Sequence, residues 1–168
     1  STIKNPELTG KKLPSMDNFI ELVGLQDIVD TLPKHLAVKN FETLYSNLHN
    51  DNPNSNQILE IEARVYNYFK DMKLPDEPTI YDYLVLSLRP KDLIATFNWD
   101  PFLYQAYVRN GHVADMPYLC FLHGNVAIGY SKEDKRCGPA GWYSKATQNY
   151  FKPTKLLYPV DQKNYNDD

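Results

Sequence analysis

Three polar side chains whose types suit acid–base and hydrogen-bonding chemistry follow two short apolar segments. Asn98 and Asp100 follow the apolar run 93–97, and His123 follows the apolar run 118–122. An apolar run that ends abruptly in polar residues is typical of a buried parallel strand that presents side chains at its carboxyl end. The pattern therefore predicts that Asn98, Asp100 and His123 surround one crevice.

Each of these residues also has a structural explanation. Asn98 is of a type common in turns, and Asp100 directly before Pro101 is a natural helix N-cap. His123 differs from the other histidines because it ends an apolar strand and precedes Gly124. An imidazole titrates near neutrality and can act as a general base, although a single His is more often structural. The glycine permits unusual backbone angles or the close approach of a ligand.

Amphipathic helices are predicted for the first half of the chain, where apolar residues recur at helical spacing. The predicted helices cover residues 16–25, 36–49, 58–72 and 80–88. Ser15 or Asp17 is expected to cap the first helix and Thr79 the last. The stripe over 58–72 is the clearest pattern, and a stripe of this kind usually packs in a core.

The character of the chain changes after residue 90. The run 93–97 is predicted to form a strand, 101–109 a helix closed by Asn110-Gly111 as a left-handed cap, and 118–122 the next parallel strand. These segments make one βαβ unit. Beyond them, 124–141 is predicted to be loop-rich and 142–168 irregular, because Pro153 and Pro159 exclude a long helix.

Composition limits the classes of function. The 168 residues are 42% hydrophobic and carry a net charge of −3, and their Lys and Arg are scattered, which argues against nucleic-acid binding. No apolar run approaches the roughly 20 residues that cross a bilayer, and the N-terminus lacks the apolar core of a signal peptide, so we expect a cytoplasmic protein. Cys120 lies in a predicted strand and Cys137 in a polar loop, without the CxxC pairs of a zinc module.

The order of the two polar elements resembles the Sir2-like (sirtuin-related) family, in particular its bacterial branch of NAD-hydrolysing anti-phage defence proteins. The elements are Thr-x-Asn-x-Asp at 96–100 and His123-Gly124. The resemblance implies an α/β fold with a partial Rossmann-like parallel sheet and an α-helical N-terminal half. It also implies NAD as the substrate, held by Asn98, Asp100, His123 and Gly124. Asn98 would orient the ribose or a water, His123 would be the base, and Asp100 would support the site.

The reaction that the resemblance implies is cleavage of the nicotinamide–ribose bond through an oxocarbenium-like transition state. Protein-deacylating sirtuins carry a four-cysteine zinc ribbon after the His-Gly element, but only Cys137 follows it here. Trp99 also replaces the smaller aliphatic residue usual in deacylases. Both departures favour an NAD glycohydrolase without zinc, whose expected partners are NAD and either a second copy or a partner defence protein.

The resemblance further implies that the chain is an internal portion of such a domain. No glycine-rich nucleotide loop occurs upstream, although 13–20 resembles the segment that follows it. The C-terminal strands are also missing, because the Gly-Tyr-Ser match at 129–131 comes too soon after His123. We therefore expect a single incomplete Sir2-like domain over 1–168, mainly helical over 1–90 and carrying the parallel strands and the site over 91–168.

Two further hypotheses remain open from the sequence. One is an NAD-dependent protein deacylase. The other is a non-catalytic nucleotide-sensing or oligomerisation module, since the amphipathic helices and the 13 Tyr residues could form an interface. An oligomerisation module predicts that His123→Ala has no effect, whereas substitutions in the stripe of Ile61, Val65 and Tyr68 change the mass of the protein in solution.

Overall fold

A computed structural model of the chain describes residues 11–160 and shows a mixture of helix and strand with a small parallel sheet. After a 3₁₀ turn at Met16–Asn18, the helices are α1 (Phe19–Val23), α2 (Gln26–Thr31), α3 (Phe41–Asp51), α4 (Asn56–Lys70), α5 (Ile80–Ser87) and α6 (Phe102–Asn110). The strands are β1 (Leu93–Thr96), β2 (Tyr118–Phe121), β3 (Ile128–Ser131), β4 (Arg136–Pro139), β5 (Tyr143–Ser144), β6 (Asn149–Tyr150) and β7 (Lys152–Pro153).

The chain divides into two compact units. A helical unit contains residues 12–68 together with 157–160, and a sheet unit contains 69–156 together with Lys11. The interpretation of 1–168 as one incomplete domain stays a prediction.

Local sequence signals place most of the helices. Thr79 begins α5 as predicted, because its amide and hydroxyl both donate to the Asp82 carboxylate, which closes a capping box. α3 begins at Phe41 rather than near residue 36, because Asn40 supplies the cap by accepting the amide hydrogen of Thr43. The predicted helix 16–25 is shorter and ends at Gly24, whose φ is 76°, and α2 follows it without having been predicted.

The core of the helical unit combines aliphatic and aromatic side chains. Phe19 stacks on Phe41 with ring centroids 4.2 Å apart, and Tyr45 stacks on Tyr158 at 4.6 Å. The Tyr158 hydroxyl donates to the Glu62 carbonyl oxygen, 96 residues away in sequence. Tyr158 is therefore part of this core although it lies far from the helices along the chain. Further fully buried members are Leu25, Leu44, Ile61 and Val65.

β1 and β2 of the sheet unit pair in parallel, in register from Leu93 opposite Tyr118 to Thr96 opposite Phe121. The predicted parallel pairing of these strands is confirmed. One face of the pair packs on α5 and α6, where the buried residues are Val85, Leu103 and Ala106. Ile94, Leu119 and Phe121 of the strands pack against that cluster.

The opposite face of the β1–β2 pair is exposed and apolar. Leu93 is 61% exposed, Phe97 60% and Tyr118 68%, and Leu122 is exposed as well. These residues alternate with the partly buried Ile94, Leu119 and Phe121, as successive side chains of a strand must. Among the described residues, this parallel pair is therefore covered on one face, whereas parallel sheets are usually covered on both.

The segment after β2 contains the antiparallel strands β3 and β4, which the expectation of a loop-rich 124–141 missed. Most of the described residues over 142–160 are irregular, as expected, with three two-residue strands among them. β3 lies between β4 and β7, and β5 pairs with β6. Cys137 accordingly lies in β4 rather than in a polar loop. Phe151 is 1% exposed, and a Cβ added at Gly138 would lie 2.6 Å from its ring. Gly138 thus makes room for this buried ring.

The C-terminus of α6 also differs from the expectation. Gly111 follows the helix but has a φ of −62°, a right-handed conformation, so the predicted left-handed cap is wrong. Asn110 instead stays in the last turn, where its side-chain amide donates to the carbonyl of Ala106 and to the carboxylate of Asp82.

Candidate functional site

The site begins where β1 ends. The Thr96 hydroxyl oxygen accepts a hydrogen bond from the Asn98 amide at 3.1 Å, which turns the chain after the strand. Asp100 is 6% exposed, and its carboxylate accepts from the Phe102 amide at 3.2 Å. Asp100 therefore supplies a hydrogen bond to the start of α6, as expected, although Pro101 occupies the formal N-cap position.

β2 ends in a tight turn at the same edge of the sheet. The ladder continues one residue further, since the Leu122 amide donates to the Thr96 carbonyl at 2.8 Å. The Gly124 amide then donates back to the Phe121 carbonyl, and Gly124 has a φ of 74°. His123 lies within this turn, and its ring lies 4.6 Å from that of Phe97.

A cavity of about 190 Å³ lies beside the end of β1. Its polar lining consists of Tyr81, Thr96, Asn98, Asp100 and Asn125. Aliphatic and aromatic side chains from β1, β2, α5 and α6 complete the wall. An apolar cavity with a few convergent polar groups is the usual form of a small-molecule site.

Burial determines the electrostatics of the cavity. It raises the pKa of the Asp100 carboxyl, because the Phe102 amide that donates to this group offsets only part of the desolvation. Burial and the nearby Asp100 charge together raise the pKa of Tyr81 to about 12. Tyr81 is therefore a neutral phenol at neutral pH, next to a carboxyl that favours its protonated form more than an exposed Asp would.

The structure brings two of the sequence-predicted residues together in the cavity. Asn98 and Asp100 both line it, whereas His123 and Gly124 do not. The turn at Phe121 explains the difference, because His123 no longer follows the strand alternation and packs against Phe97, whose side chain points to the exposed side of the sheet. His123 remains at the same edge, two residues beyond β2 as Asn98 is two residues beyond β1.

Gly124 has a structural reason to be glycine. A Cβ at this position would collide with the backbone carbonyl of Lys155, and the positive φ disfavours other residues in any case. The space that a side chain would fill is thus taken by the chain itself. A role of Gly124 in binding NAD stays a prediction.

Sequence reasoning missed Asn125. Its side chain is fully buried, and its amide nitrogen donates to the carbonyl oxygens of Asp100 at 2.6 Å and Asn98 at 3.2 Å. The only sequence signal was its position directly after the His-Gly element. Asn in a loop ordinarily indicates a turn, so the pattern alone gave no reason to single it out.

Residues 11–160 lack two kinds of feature. No group of three or more His, Cys, Asp or Glu residues within that range is arranged to hold a metal ion. None of the helices there has the length and apolar character needed to cross a membrane.

Comparison with known proteins gives no assignment: no protein-family model matches the chain, and no curated protein sequence matches it significantly.

Proposed function

We propose that the chain is part of a Sir2-like NAD glycohydrolase of bacterial anti-phage defence, which acts in the cytoplasm on free NAD. One observation carries the proposal: an Asn and an Asp that follow one strand of a parallel pair line a cavity at its carboxyl end, and a His follows the other strand at the same edge. Ligands of open parallel sheets bind at this edge.

The size of the cavity limits what enters it. Its volume of about 190 Å³ is below the range of about 300–1,000 Å³ that is typical of pockets for whole ligands. Only one end of a dinucleotide fits, and we assign the nicotinamide–ribose end to it. The remainder of NAD then extends over the edge of the sheet, past His123.

The chemistry divides among the three side chains. The bond between the ribose C1′ and the nicotinamide nitrogen breaks, and its electron pair neutralises the pyridinium. Positive charge develops on the ribose, where the Asn98 carbonyl dipole and the Asp100 carboxyl stabilise it. Water attacks C1′ at the mouth of the cavity, on the edge of the sheet that His123 shares. His123 takes the proton of that water, and the products are nicotinamide and ADP-ribose.

The test is nicotinamide release from NAD by the full-length protein, compared with Asn98→Ala and His123→Ala. Both side chains can be truncated without opening the core, because Asn98 is exposed and His123 is half-buried. We expect release to fall by about a hundredfold or more in each variant, as for loss of a general base or of an oriented donor. His112→Ala is the matched control, because His112 is an exposed His in the same unit. Absence of release from the folded wild-type protein, with or without phage-derived activators, would overturn the proposal.

A second candidate function is assembly, and the exposed face of β1 and β2 favours it. The stripe at Ile61 and Val65 is fully buried inside the helical unit, so it offers no surface for a partner. Leu93 and Tyr118 are exposed on the sheet instead. If assembly is the function, Leu93→Lys lowers the mass in solution and His123→Ala changes nothing.

A further inference from the structure

We infer that Asn125 is the positioning residue of the candidate site: it sets the backbone of residues 98–100 and thereby the placement of Asn98 and Asp100 in the cavity. The inference rests on the proposed function for its consequence in catalysis. Its structural part is independent of that function.

The first observation is that one short segment holds three consecutive carbonyls. The Asn125 side chain donates to the carbonyl oxygens of Asn98 and Asp100, and the Val126 amide donates to the carbonyl oxygen of Trp99 at 3.1 Å. Each peptide group from 98 to 100 therefore has its acceptor held by the turn that follows β2. A loop that leaves a strand is otherwise one of the more mobile parts of a fold.

The second observation concerns the residue type. A primary amide carries two N–H donors on one nitrogen, so Asn125 can serve two carbonyl oxygens at once. Its own side-chain oxygen accepts from the Ala127 amide at 2.9 Å, which fixes the orientation of the amide group. A hydroxyl has a single donor and a carboxylate has none at neutral pH. Among side chains of this length, only Asn satisfies all three contacts.

The third observation is burial. Asn125 is 0% exposed, so leaving its carbonyl partners without their bonds incurs a desolvation cost. Asn98 is exposed, and Thr96 Oγ1 is the acceptor of its backbone amide. The rigidity of the site at Asn98 thus comes from the hydrogen bonds that its backbone makes with Thr96 and Asn125 rather than from packing of its side chain. A displacement of about 1 Å at a reacting group can reduce a rate by about a hundredfold.

Asn125→Ser separates positioning from folding. Serine retains an oxygen that can accept the Ala127 amide but is too short to donate to both carbonyls. Thr154→Val is the matched control, because the Thr154 hydroxyl can donate its one hydrogen to the carbonyl of Asn125 or of Ile128 but not to residues 98–100. Both variants remove polar atoms from the same part of the sheet unit.

The experiment measures hydrogen exchange at the Asn98 and Phe102 amides of the full-length protein, together with nicotinamide release. We expect exchange to quicken by about tenfold or more in Asn125→Ser, with a fall in kcat of about tenfold to a hundredfold and a smaller change in KM. Thr154→Val should leave both close to wild type. Unchanged exchange, or unchanged kcat despite faster exchange, would overturn the inference.

Two outcomes separate this inference from the proposed function. If wild type releases no nicotinamide, the glycohydrolase proposal fails, and the exchange result alone decides whether Asn125 positions the loop. If Asn125→Ser does not fold, hydrogen exchange of the Asn125 side-chain amide in the wild-type protein tests the inference instead. Its two Nδ2 protons should exchange at least about tenfold more slowly than those of the exposed Asn54, and equal exchange would overturn the inference.

Discussion

The rings of Phe97 and His123 lie 4.6 Å apart with an interplanar angle of 58°. Phe97 is exposed, so its ring contributes little to the core, but it supports the imidazole that we propose as the base. An aromatic ring at this distance restricts the orientation of its neighbour.

Replacing Phe97 therefore tests whether the orientation of His123 matters. We expect Phe97→Ala to lower nicotinamide release by about tenfold, because the imidazole loses its support. The unfolding midpoint should change little, since the side chain is 60% exposed. Phe97→Tyr keeps the ring and should keep the activity. Equal losses in both variants would contradict this explanation.

A comparison of Gly124 with Gly141 separates the cost of backbone strain from the cost of steric overlap. We expect Gly124→Ala to lower the free energy of unfolding by about 3 kcal/mol or more, because it combines a positive φ with a collision against Lys155. Gly141 has the same φ of 74°, but a Cβ added there would lie 3.7 Å from its nearest neighbour, the Tyr150 hydroxyl oxygen. Gly141→Ala should therefore cost only about 1–2 kcal/mol. Urea denaturation measures both.

Gly111→Ala is the control for that series. Its φ of −62° suits any residue, and the nearest atoms to a new Cβ lie 3.5 Å away. We expect no loss, and a gain of up to about 1 kcal/mol from the reduced freedom of the unfolded chain. A loss at Gly111 as large as that at Gly124 would contradict the geometric account.

The glycines also show where sequence patterns stop being informative. Gly129 and Gly138 sit inside β3 and β4, and glycine in a strand normally signals a break. Their role depends on the Phe151 ring and backbone, which approach them from a distant part of the chain. No local pattern contains that information.

Elements with strong local signals were predicted well. β1 and β2 followed from apolar runs that end in polar residues, and α5 followed from the cap at Thr79. At the site, the same runs correctly brought Asn98 and Asp100 to one cavity. The orientation of His123 was not predictable, because a turn interrupts the strand alternation. Asn125 was missed because its bonds join two loops that are remote in sequence.

Asp100 gives a stability effect that depends on pH. Its pKa is raised by burial, so the folded state retains a proton that the unfolded state has lost. The contribution of this carboxyl to stability is present below the ordinary Asp pKa of about 4 and is lost as pH rises through the folded value. We therefore expect Asp100→Asn to be more stable than wild type at pH 7, with a gap that closes towards pH 4. A constant gap across this range would contradict the assignment.

The buried Asp82 carboxylate depends on Arg109. Arg109 forms a two-pronged ion pair with Asp82 and also donates to the Pro75 carbonyl. We expect Arg109→Ala to cost about 3 kcal/mol, because it leaves a charge buried without its partner. Arg89→Ala is the control: it removes an exposed pair with Asp92 and should cost at most about 1 kcal/mol. Thermal unfolding at neutral pH compares the two.

Asp82 predicts the opposite response to acid from Asp100. Burial alone would raise the pKa of Asp82, but hydrogen bonds from Arg109, Thr79 and Asn110 hold it well below its usual range. Its contribution is therefore present above the ordinary Asp pKa of about 4 and is lost as pH falls towards the lowered value. We expect Asp82→Asn to flatten the loss of stability between about pH 4 and pH 2. If the free energy of unfolding of Asp82→Asn falls with acid as steeply as that of wild type, Asp82 is not the source of this pH dependence.

The position of Tyr158 in the chain determines when the core of the helical unit can be completed during translation. Nascent chains emerge from the amino end, so α1 to α4 leave the exit tunnel long before residue 158 is added. Until then Tyr45 has no stacking partner at that position, and the Glu62 carbonyl lacks the Tyr158 hydroxyl. The helices of this unit are thus made before the sheet unit but complete their core only after it, and translation of the intervening residues 69–156 sets the minimum delay.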